Sequence, residues 1–209
     1  MASRWDTGRI ESFSDGVFAF AITLLVLDIN VGHSDLPHLW HALGHQWPSY
    51  LGYVTSFLTV GGIWLVHHTI FQYARYADRQ VMVTNLVLLM TIAFLPFPTR
   101  LVAQAIRTPG AEHVAVIFYG AWLLVIAGVL SVLWRTFANN RSLLKPDVGE
   151  QQIKAITRIT TPNLGFYVAV IVLGFIAPTV AAFGYLTIAI VALARARGDR
   201  VPLAEPRRL

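Results

Sequence analysis

Charged side chains are scarce in this sequence. Of its 209 residues only 13% are Asp, Glu, Lys or Arg, whereas 56% are hydrophobic. Soluble domains carry about 25% charged residues, and a chain with half that share cannot cover a globular surface with solvated side chains. The composition therefore excludes a soluble enzyme of one or two domains. It predicts an integral membrane protein surrounded by lipid.

Cysteine is absent altogether, which excludes disulfides, thiolate nucleophiles, cysteine-ligated zinc and iron–sulfur clusters. The sequence also lacks an H-E-x-x-H zinc motif, a nucleophile–base pair and a spaced pair of intramembrane carboxylates. Its net charge of +5 is scattered between apolar runs and forms no single basic patch. We therefore expect no catalytic residues, no bound metal or other cofactor, and no nucleic-acid partner.

Long apolar runs are the dominant feature. A membrane-spanning helix needs about 20 mostly apolar residues, and six segments qualify, at about 12–31, 48–71, 81–103, 113–137, 162–178 and 179–195. We predict an all-α membrane domain of six transmembrane helices over 1–195, followed by a basic, disordered cytoplasmic tail over 196–209. The last two spans meet at Pro178 as a tight hairpin. The second half of the polar stretch 138–161 favours a short interfacial helix.

The basic residues are distributed unevenly across the predicted membrane. All of the 16 lysines and arginines except Arg100 and Arg107 fall on one side. Both termini lie on that same side, because an even number of spans returns the chain to where it began. Positive residues concentrate in cytoplasmic loops, so both termini are predicted to be cytoplasmic.

The first span opens with an unusual polar motif, R-x-x-x-F-S-D-G over 9–16, and continues as V-F-A-F-A-I-T-L-L-V-L-D. At about 100° per residue, one face of this helix is almost wholly apolar, with Thr23 at its edge and Arg9 extending it. Ser14 and Asp15 point away from that face, which consists of Phe13, Gly16, Phe20, Leu24, Leu27 and Val31. By itself such a stripe is more typical of helix packing than of a pore.

The motif and the run after it closely resemble the bacterial branch of the transmembrane protein 175 family of potassium channels. The chain is also similar to that family in length, span number and topology. The resemblance implies a potassium-permeable homotetramer in the bacterial inner membrane, with four first helices around a central pore. It further implies that no T-V-G-Y-G-type selectivity loop is used, and this sequence contains none.

Carried over residue by residue, the resemblance assigns Phe20, Leu24 and Leu27 to stacked apolar rings that form a hydrophobic gate. It assigns Thr23 to hydroxyls beside those rings. The sequence departs from the family pattern at Phe20, where relatives carry a branched aliphatic side chain. A phenyl ring is larger, so the departure leaves open which ring is narrowest.

A second group of residues falls at a similar membrane depth on the first three spans: Arg9, Phe13, Ser14, Asp15, Trp64, His67, His68 and Asn85. We interpret this group as a structural hydrogen-bond network that fixes the first helix. The family is similar, because its F-S-D residues bond to Trp and His on neighbouring helices. Adjacent histidines project about 100° apart on a helix, which disfavours a shared metal or a catalytic dyad.

An alternative function uses the same polar residues. A proton-coupled secondary transporter, or a simpler proton pathway, would use Asp15 together with His67 or His68. Transporters commonly show internal repeats and helices broken at the membrane midplane. This sequence has no convincing repeat, and Pro96 and Pro98 lie near the outer end of the third span, so the channel interpretation is preferred.

Two further features lie near the predicted outer surface. Asp28 either attracts cations to the pore mouth or is a helix-end residue facing water. His38, His41 and His45 are spaced i, i+3 and i+7, which suits a zinc site or a pH sensor on a helix. A solvated loop is the preferred interpretation of these histidines, so no metal site is predicted.

Overall fold

The computed structural model describes residues 5–161 and 164–198, and these are almost entirely helical. The α-helices among them are α1 (Gly8–Leu24), α2 (Leu39–His45), α3 (Trp47–Tyr73), α4 (Arg79–Phe94), α5 (Pro96–Ala105), α6 (Ala111–Asn139), α7 (Glu150–Thr160), α8 (Leu164–Ile176) and α9 (Pro178–Gly198). Short 3₁₀ turns cover Leu25–Asp28, His33–His38 and Arg141–Leu143. The predicted all-helical fold is confirmed.

The described helices make up five segments that are long and apolar enough to cross a membrane: Gly8–Asp28, Trp47–Tyr73, Arg79–Ala105, Ala111–Asn139 and Glu150–Ile176. Of the last segment, the structure describes the helices α7 and α8. A sixth apolar helix, Pro178–Ala194, is shorter. The protein is therefore a multi-pass membrane protein. The fifth predicted span, 162–178, begins with residues that lie outside the described part of the chain, and the sixth, 179–195, lies within α9 (Pro178–Gly198).

Prolines divide the apolar helices, because the pyrrolidine ring removes a backbone donor and clashes with the preceding turn. Pro96 separates α4 from α5, while Leu95 between them keeps helical backbone angles. The third span is therefore divided into helices of 16 and 10 residues, so the prolines lie within it and not near its outer end, as we predicted from the sequence. Pro178 begins α9 one residue after α8 ends, and the two helices pack against each other.

The core lies where α3 and α6 pack against the remaining long helices. Its five largest fully buried side chains are aromatic: Trp134, Tyr185, Phe18, Phe71 and Phe137. Helices α6 and α9 approach closely at Gly120, where a Cβ atom would lie 1.9 Å from the Tyr185 hydroxyl oxygen. That hydroxyl donates to the Val116 carbonyl at 3.2 Å. A side chain at position 120 would therefore displace a fully buried tyrosine.

Backbone pairing shows which segments meet at one end of the bundle. Trp5 and Ala77 exchange two hydrogen bonds of 2.9 Å, and Ala74 pairs with Leu144. The start of α1, the α3–α4 turn and the segment after α6 therefore share one end. We call it the basic end, because its helix termini and turns carry Arg9, Arg75, Arg79, Arg135, Arg141 and Lys145. Arg100 and Arg107 follow at the other end, on and just after α5.

Two predicted features outside the long helices can be located. A helix does form in the second half of the polar stretch 138–161: α7 packs on α6, where Trp134 Nε1 donates to Thr157 Oγ1 at 2.8 Å. Helix α9 continues to Gly198, so the first three residues of the predicted tail, 196–198, are helical. The rest of that tail lies outside the described residues.

Candidate pore helix and its polar anchor

Helix α1 has one face that packs against α3 and α4. This buried face follows the helical period, since Ser14, Phe18, Ala21 and Leu25 are each at most 1% exposed. Phe18 lies against the ring of His67, with centroids 5.3 Å apart. The polar Ser14 is thus part of the packed face, as expected for a side chain that points away from the apolar stripe.

The opposite face of α1 is uncovered. Phe13 is 58% exposed, Phe20 65% and Leu27 70%, while Thr23 is exposed and Leu24 is half-buried. Large apolar side chains on a membrane helix face lipid or another protein surface. The apolar stripe that the sequence predicts is therefore available to contact something outside this chain.

The helix ends earlier than the sequence pattern predicts. Regular α-helix stops at Leu24, a 3₁₀ turn covers Leu25–Asp28, and Ile29 has an extended backbone with ψ of 94°. The prediction of a continuous helix to residue 31 is therefore wrong, and Val31 does not continue the stripe. A contact from outside the helix accompanies this end: Gln46 Nε2 donates to the Asn30 carbonyl at 2.6 Å, tying the extended segment to the start of α3.

Thr23 bonds back to its own helix. Its hydroxyl donates to the Phe20 carbonyl at 2.8 Å. A hydroxyl has one donor and two acceptor lone pairs, so this bond uses the proton and orients the oxygen. The oxygen of Thr23 remains able to accept a hydrogen bond or to coordinate a cation on the uncovered side of α1.

Polar side chains tie α1 to its neighbours, and we call this group the polar anchor: Ser14, Asp15, Trp64, His67, His68, Gln72 and Asn85. Its first part joins α1, α3 and α4 through three buried side chains. Asn85 Nδ2 donates to Ser14 Oγ at 3.0 Å, and Asn85 Oδ1 lies 2.9 Å from His67 Nε2. Ser14 Oγ in turn donates to the Ile10 carbonyl at 2.8 Å. All three side chains are at most 2% exposed, so each is cut off from water and depends on these partners.

The directions of these bonds follow from the groups involved. A carbonyl oxygen only accepts, so His67 Nε2 carries the proton that reaches Asn85 in this arrangement. The imidazole ring packs against Phe71 on its own helix, with centroids 4.6 Å apart. The bonds therefore run in one direction, from His67 through Asn85 and Ser14 to a backbone carbonyl of α1.

The second part of the anchor lies nearer the surface of the chain. Trp64 Nε1 donates to Asp15 Oδ1 at 2.8 Å, and the Trp64 and His68 rings stack with centroids 5.8 Å apart. Gln72 Nε2 lies 2.9 Å from His68 Nε2, and because an amide nitrogen only donates, the histidine accepts. Gln72 was not predicted as a site residue, although its position one turn after His68 was a usable signal.

The two histidines thus belong to different parts, or branches, of the polar anchor. This agrees with the angle of about 100° between adjacent positions on a helix. Asp15 bonds to Trp64 and not to His67, and an amide separates His67 from Ser14. Such an arrangement fixes helices together but offers no chain of titratable groups for proton transfer. Arg9 and Phe13 are both exposed and lie outside these hydrogen bonds.

The other predicted positions lie at the end of the bundle opposite the basic end. Asp28 Oδ1 lies 3.7 Å from Arg100 Nε, and the carboxylate side chain is 14% exposed. His41 and His45 stack with centroids 4.2 Å apart, and Arg107 Nη1 lies 3.0 Å from His45 Nδ1. In the part of the chain that the structure describes, no three His, Asp or Glu side chains are grouped to hold a metal ion.

Together these features define a class: a multi-pass helical membrane protein whose first helix is fixed by buried polar side chains on one face and uncovered on the other. A family model described as "Endosomal/lysosomal potassium channel TMEM175" matches residues 9–96. A protein of Streptomyces collinus named as a potassium channel is 42% identical over 186 residues, which cover 88% of this chain and 90% of that protein. A second, from Chamaesiphon minutus, is 40% identical over 174 residues, covering 82% and 85%.

The fold agrees with that of a solved structure from the same group of proteins. The crystal structure of a lysosomal potassium-selective channel TMEM175 homologue from Chamaesiphon minutus matches with a TM-score of 0.81 and 37% sequence identity. The match covers 92% of this chain and 98% of that one. This chain belongs to the TMEM175 family, as the motif at 9–16 indicated. It is a member of an ion-channel family and not an enzyme.

Proposed function

We propose that this protein is a potassium-permeable channel in which α1 helices from four copies of the chain line a central pore. The observation that carries the proposal is the pair of contrasting faces on α1. One face is completely packed, whereas the other presents Phe13, Phe20 and Leu27 to the outside of the chain. Family membership supports the same interpretation, because the relatives are named as potassium channels.

The proposed gate is a hydrophobic constriction. In a symmetric assembly, Phe20 and Leu24 on α1 and Leu27 in the 3₁₀ turn that follows it form apolar rings. The rings extend over roughly 10–12 Å along the axis. Such rings offer an ion no oxygen ligand, and a narrow ring also expels water. Conduction therefore stops by dewetting, and opening requires α1 to tilt or rotate outward.

Selectivity in this proposal arises without a filter loop. The Thr23 hydroxyl donates to the Phe20 carbonyl, which leaves its oxygen to coordinate a partly dehydrated potassium ion in the opened pore. Asp28 lies beyond the rings, 3.7 Å from Arg100, where its carboxylate offsets the charge of that arginine and so keeps the mouth from repelling cations.

The membrane orientation follows the positive-inside rule. We propose that the basic end faces the cytoplasm of a bacterial cell and that the chain lies in the inner membrane with both termini inside. A cyclic assembly closes on itself without leaving an unpaired face, and native mass spectrometry in detergent should show a tetramer. A stable monomer or dimer as the sole species would contradict the central pore.

Substitutions on the two faces of α1 test the pore assignment. Leu27→Ala and Leu24→Asn should raise the basal potassium leak of reconstituted vesicles and weaken discrimination against sodium. Leu25→Ala is the matched control, because Leu25 is 1% exposed on the packed face; it should lower folded yield and leave selectivity unchanged. If Leu25→Ala leaks while both other variants conduct like the parent, the pore lies on the opposite face.

The same vesicles separate the channel from the proton-coupled alternative. A channel dissipates a potassium gradient at a rate independent of the proton gradient, and a planar-bilayer recording with potassium and sodium on opposite sides gives a reversal potential. A transporter using Asp15 and His67 or His68 would instead couple potassium movement to a pH gradient. Flux that disappears when the pH gradient is removed would overturn the proposal.

A further inference from the structure

A polar cavity opens at the basic end of the bundle, between the start of α4 and the last turns of α6. Its volume is about 270 Å³, and it is lined by Asp78, Gln80, Val132, Arg135, Thr136, Asn139 and Asn140. Neither the polar anchor nor the uncovered face of α1 contributes to this lining. The cavity is therefore a separate feature of the molecule.

The cavity contains one charge of each sign. Asp78 is held in place as the N-cap of α4, since its Oδ1 accepts from the Val81 amide at 2.9 Å. Arg135 is exposed on the last turns of α6. Neither residue takes part in an ion pair within 4 Å among the described residues. The lining thus offers a cation and an anion that do not neutralise each other directly.

Apolar side chains continue from the cavity along the same two helices. Val132 is part of the lining and is exposed. On α4, Val83, Leu86 and Met90 form an exposed stripe at helical spacing, and Val125 lies two turns from Val132 on α6. The arrangement is a polar recess at the end of a membrane helix pair with an apolar surface leading away from it.

We propose that this cavity binds the headgroup of a zwitterionic phospholipid that carries a primary ammonium, such as phosphatidylethanolamine, in the leaflet at the basic end. The Arg135 guanidinium binds the phosphate, for which its planar set of donors is suited. The ammonium group donates to the carboxylate of Asp78, which has a second oxygen besides the one that caps α4. The acyl chains follow the exposed valine, leucine and methionine side chains of α4 and α6.

The paired charges select among lipids. A purely anionic headgroup would bind Arg135 through its phosphate, but it would have no positive group to offset the repulsion between that phosphate and the Asp78 carboxylate. A quaternary ammonium would supply positive charge but has no N–H group to donate. A headgroup with both a phosphate and a primary ammonium complements the two side chains at once, and the amides of Gln80 and Asn139 provide further donors for phosphate oxygens.

Occupation of the cavity also bears on α1. Asp78 directly follows Ala77, whose backbone pairs with Trp5 just before the pore helix begins. A headgroup bound to Asp78 therefore stabilises the turn to which the start of α1 is attached.

Native mass spectrometry of the intact assembly, with each lipid added separately at equal concentration, tests the proposal. The parent should retain phosphatidylethanolamine in preference to phosphatidylglycerol and phosphatidylcholine. Arg135→Gln should lower retention of phosphatidylethanolamine by roughly tenfold, the effect expected for a lost hydrogen bond to a charged group. Arg135→Lys, which keeps the charge, should retain most of the binding.

Asp78→Asn is the discriminating variant, because asparagine preserves the N-cap while removing the negative charge. It should abolish the preference for phosphatidylethanolamine over phosphatidylglycerol without reducing binding of the latter. Lys154→Gln is the control, because Lys154 is an exposed cation on α7 outside the cavity. This substitution should change neither the retention of phosphatidylethanolamine nor its preference over phosphatidylglycerol.

Four results would overturn the proposal. The first is equal retention of phosphatidylethanolamine and phosphatidylglycerol by the parent, and the second is an unchanged lipid preference in Asp78→Asn. The third is displacement of the lipid by soluble O-phosphoethanolamine at matched concentration, which would assign the site to a free metabolite of the same chemistry. The fourth is lipid retention by the parent no greater than by Arg135→Gln, the result expected if another copy of the chain covers this face.

Discussion

Asn85 is the side chain on which the buried part of the polar anchor depends. Among the residues that the structure describes, it is the side chain that connects Ser14 on α1 with His67 on α3, through hydrogen bonds of 3.0 and 2.9 Å. We predict that Asn85→Ala destabilises the folded protein more than any other single truncation in this branch. Ion selectivity of the protein that still folds should not change, because Asn85 does not reach the uncovered face of α1.

The size of this destabilisation follows from the hydrogen bonds that Ser14 and His67 each lose in Asn85→Ala. Ser14 keeps its donation to the Ile10 carbonyl at 2.8 Å, so loss of the bond from Asn85 costs only about 1 kcal/mol. His67 Nε2 loses its acceptor while the side chain is 1% exposed, and an orphaned buried donor costs about 1–3 kcal/mol. The expected decrease in the free energy of unfolding is therefore about 2–4 kcal/mol.

Equilibrium unfolding in SDS, followed by tryptophan fluorescence, measures this difference. Thr84→Ala is the matched control, since Thr84 is a half-buried neighbour on the same helix outside the network. Ser14→Ala should cost about 1–3 kcal/mol, because the buried Asn85 Nδ2 loses its acceptor, and the double variant with Asn85→Ala should show a coupling free energy of about 1 kcal/mol, within the range for residues in contact.

Two results would refute this reasoning. If Asn85→Ala and Thr84→Ala destabilise equally, the buried amide contributes no more than an ordinary polar side chain. If Ser14→Ala costs more than Asn85→Ala, the network transmits its stabilisation through the serine and the assignment of His67 as the dependent donor is wrong.

Three further predictions concern packing, selectivity and the pore mouth. Gly120→Ala should lower the free energy of unfolding by about 1–3 kcal/mol through overpacking against Tyr185. Gly128→Ala on the same helix, where a Cβ meets no atom within 4 Å, should instead raise it by up to about 1 kcal/mol. Equal effects of the two substitutions in an SDS titration would contradict the close approach of α6 and α9. Thr23→Val should reduce the potassium-to-sodium permeability ratio measured from reversal potentials and Thr23→Ser should preserve it, so a loss in both would exclude the hydroxyl as the ligand. Asp28→Asn should lower single-channel potassium conductance at low ionic strength and have little effect at about 1 M salt, where the Debye length falls to about 3 Å; a decrease that is independent of salt would mean that the carboxylate acts by a route other than its charge.

Several features of this protein follow from the sequence because they depend on a single segment. Membrane insertion follows from the low share of charge and the apolar runs, and the two faces of α1 follow from the helical period alone. The family follows from a motif of eight residues at the start of the first span. The angle between His67 and His68, which places them in separate branches, is likewise a property of one helix.

The length of the spans was less predictable. Hydropathy locates apolar stretches but does not show that Leu25–Asp28 forms a 3₁₀ turn or that the backbone becomes extended at Ile29. Such endings depend on contacts from elsewhere in the chain, as the bond from Gln46 to the Asn30 carbonyl illustrates.

The partners within the anchor were decided only by tertiary structure. The sequence places Ser14, Asp15, Trp64, His67 and Asn85 at one depth, yet it does not show that the amide lies between the serine and one histidine while the carboxylate bonds to the indole. Helical periodicity fixes the angle of a side chain about its own axis. Which side chains meet depends on the rotation and vertical offset of three neighbouring helices, and those are set by packing along their whole length.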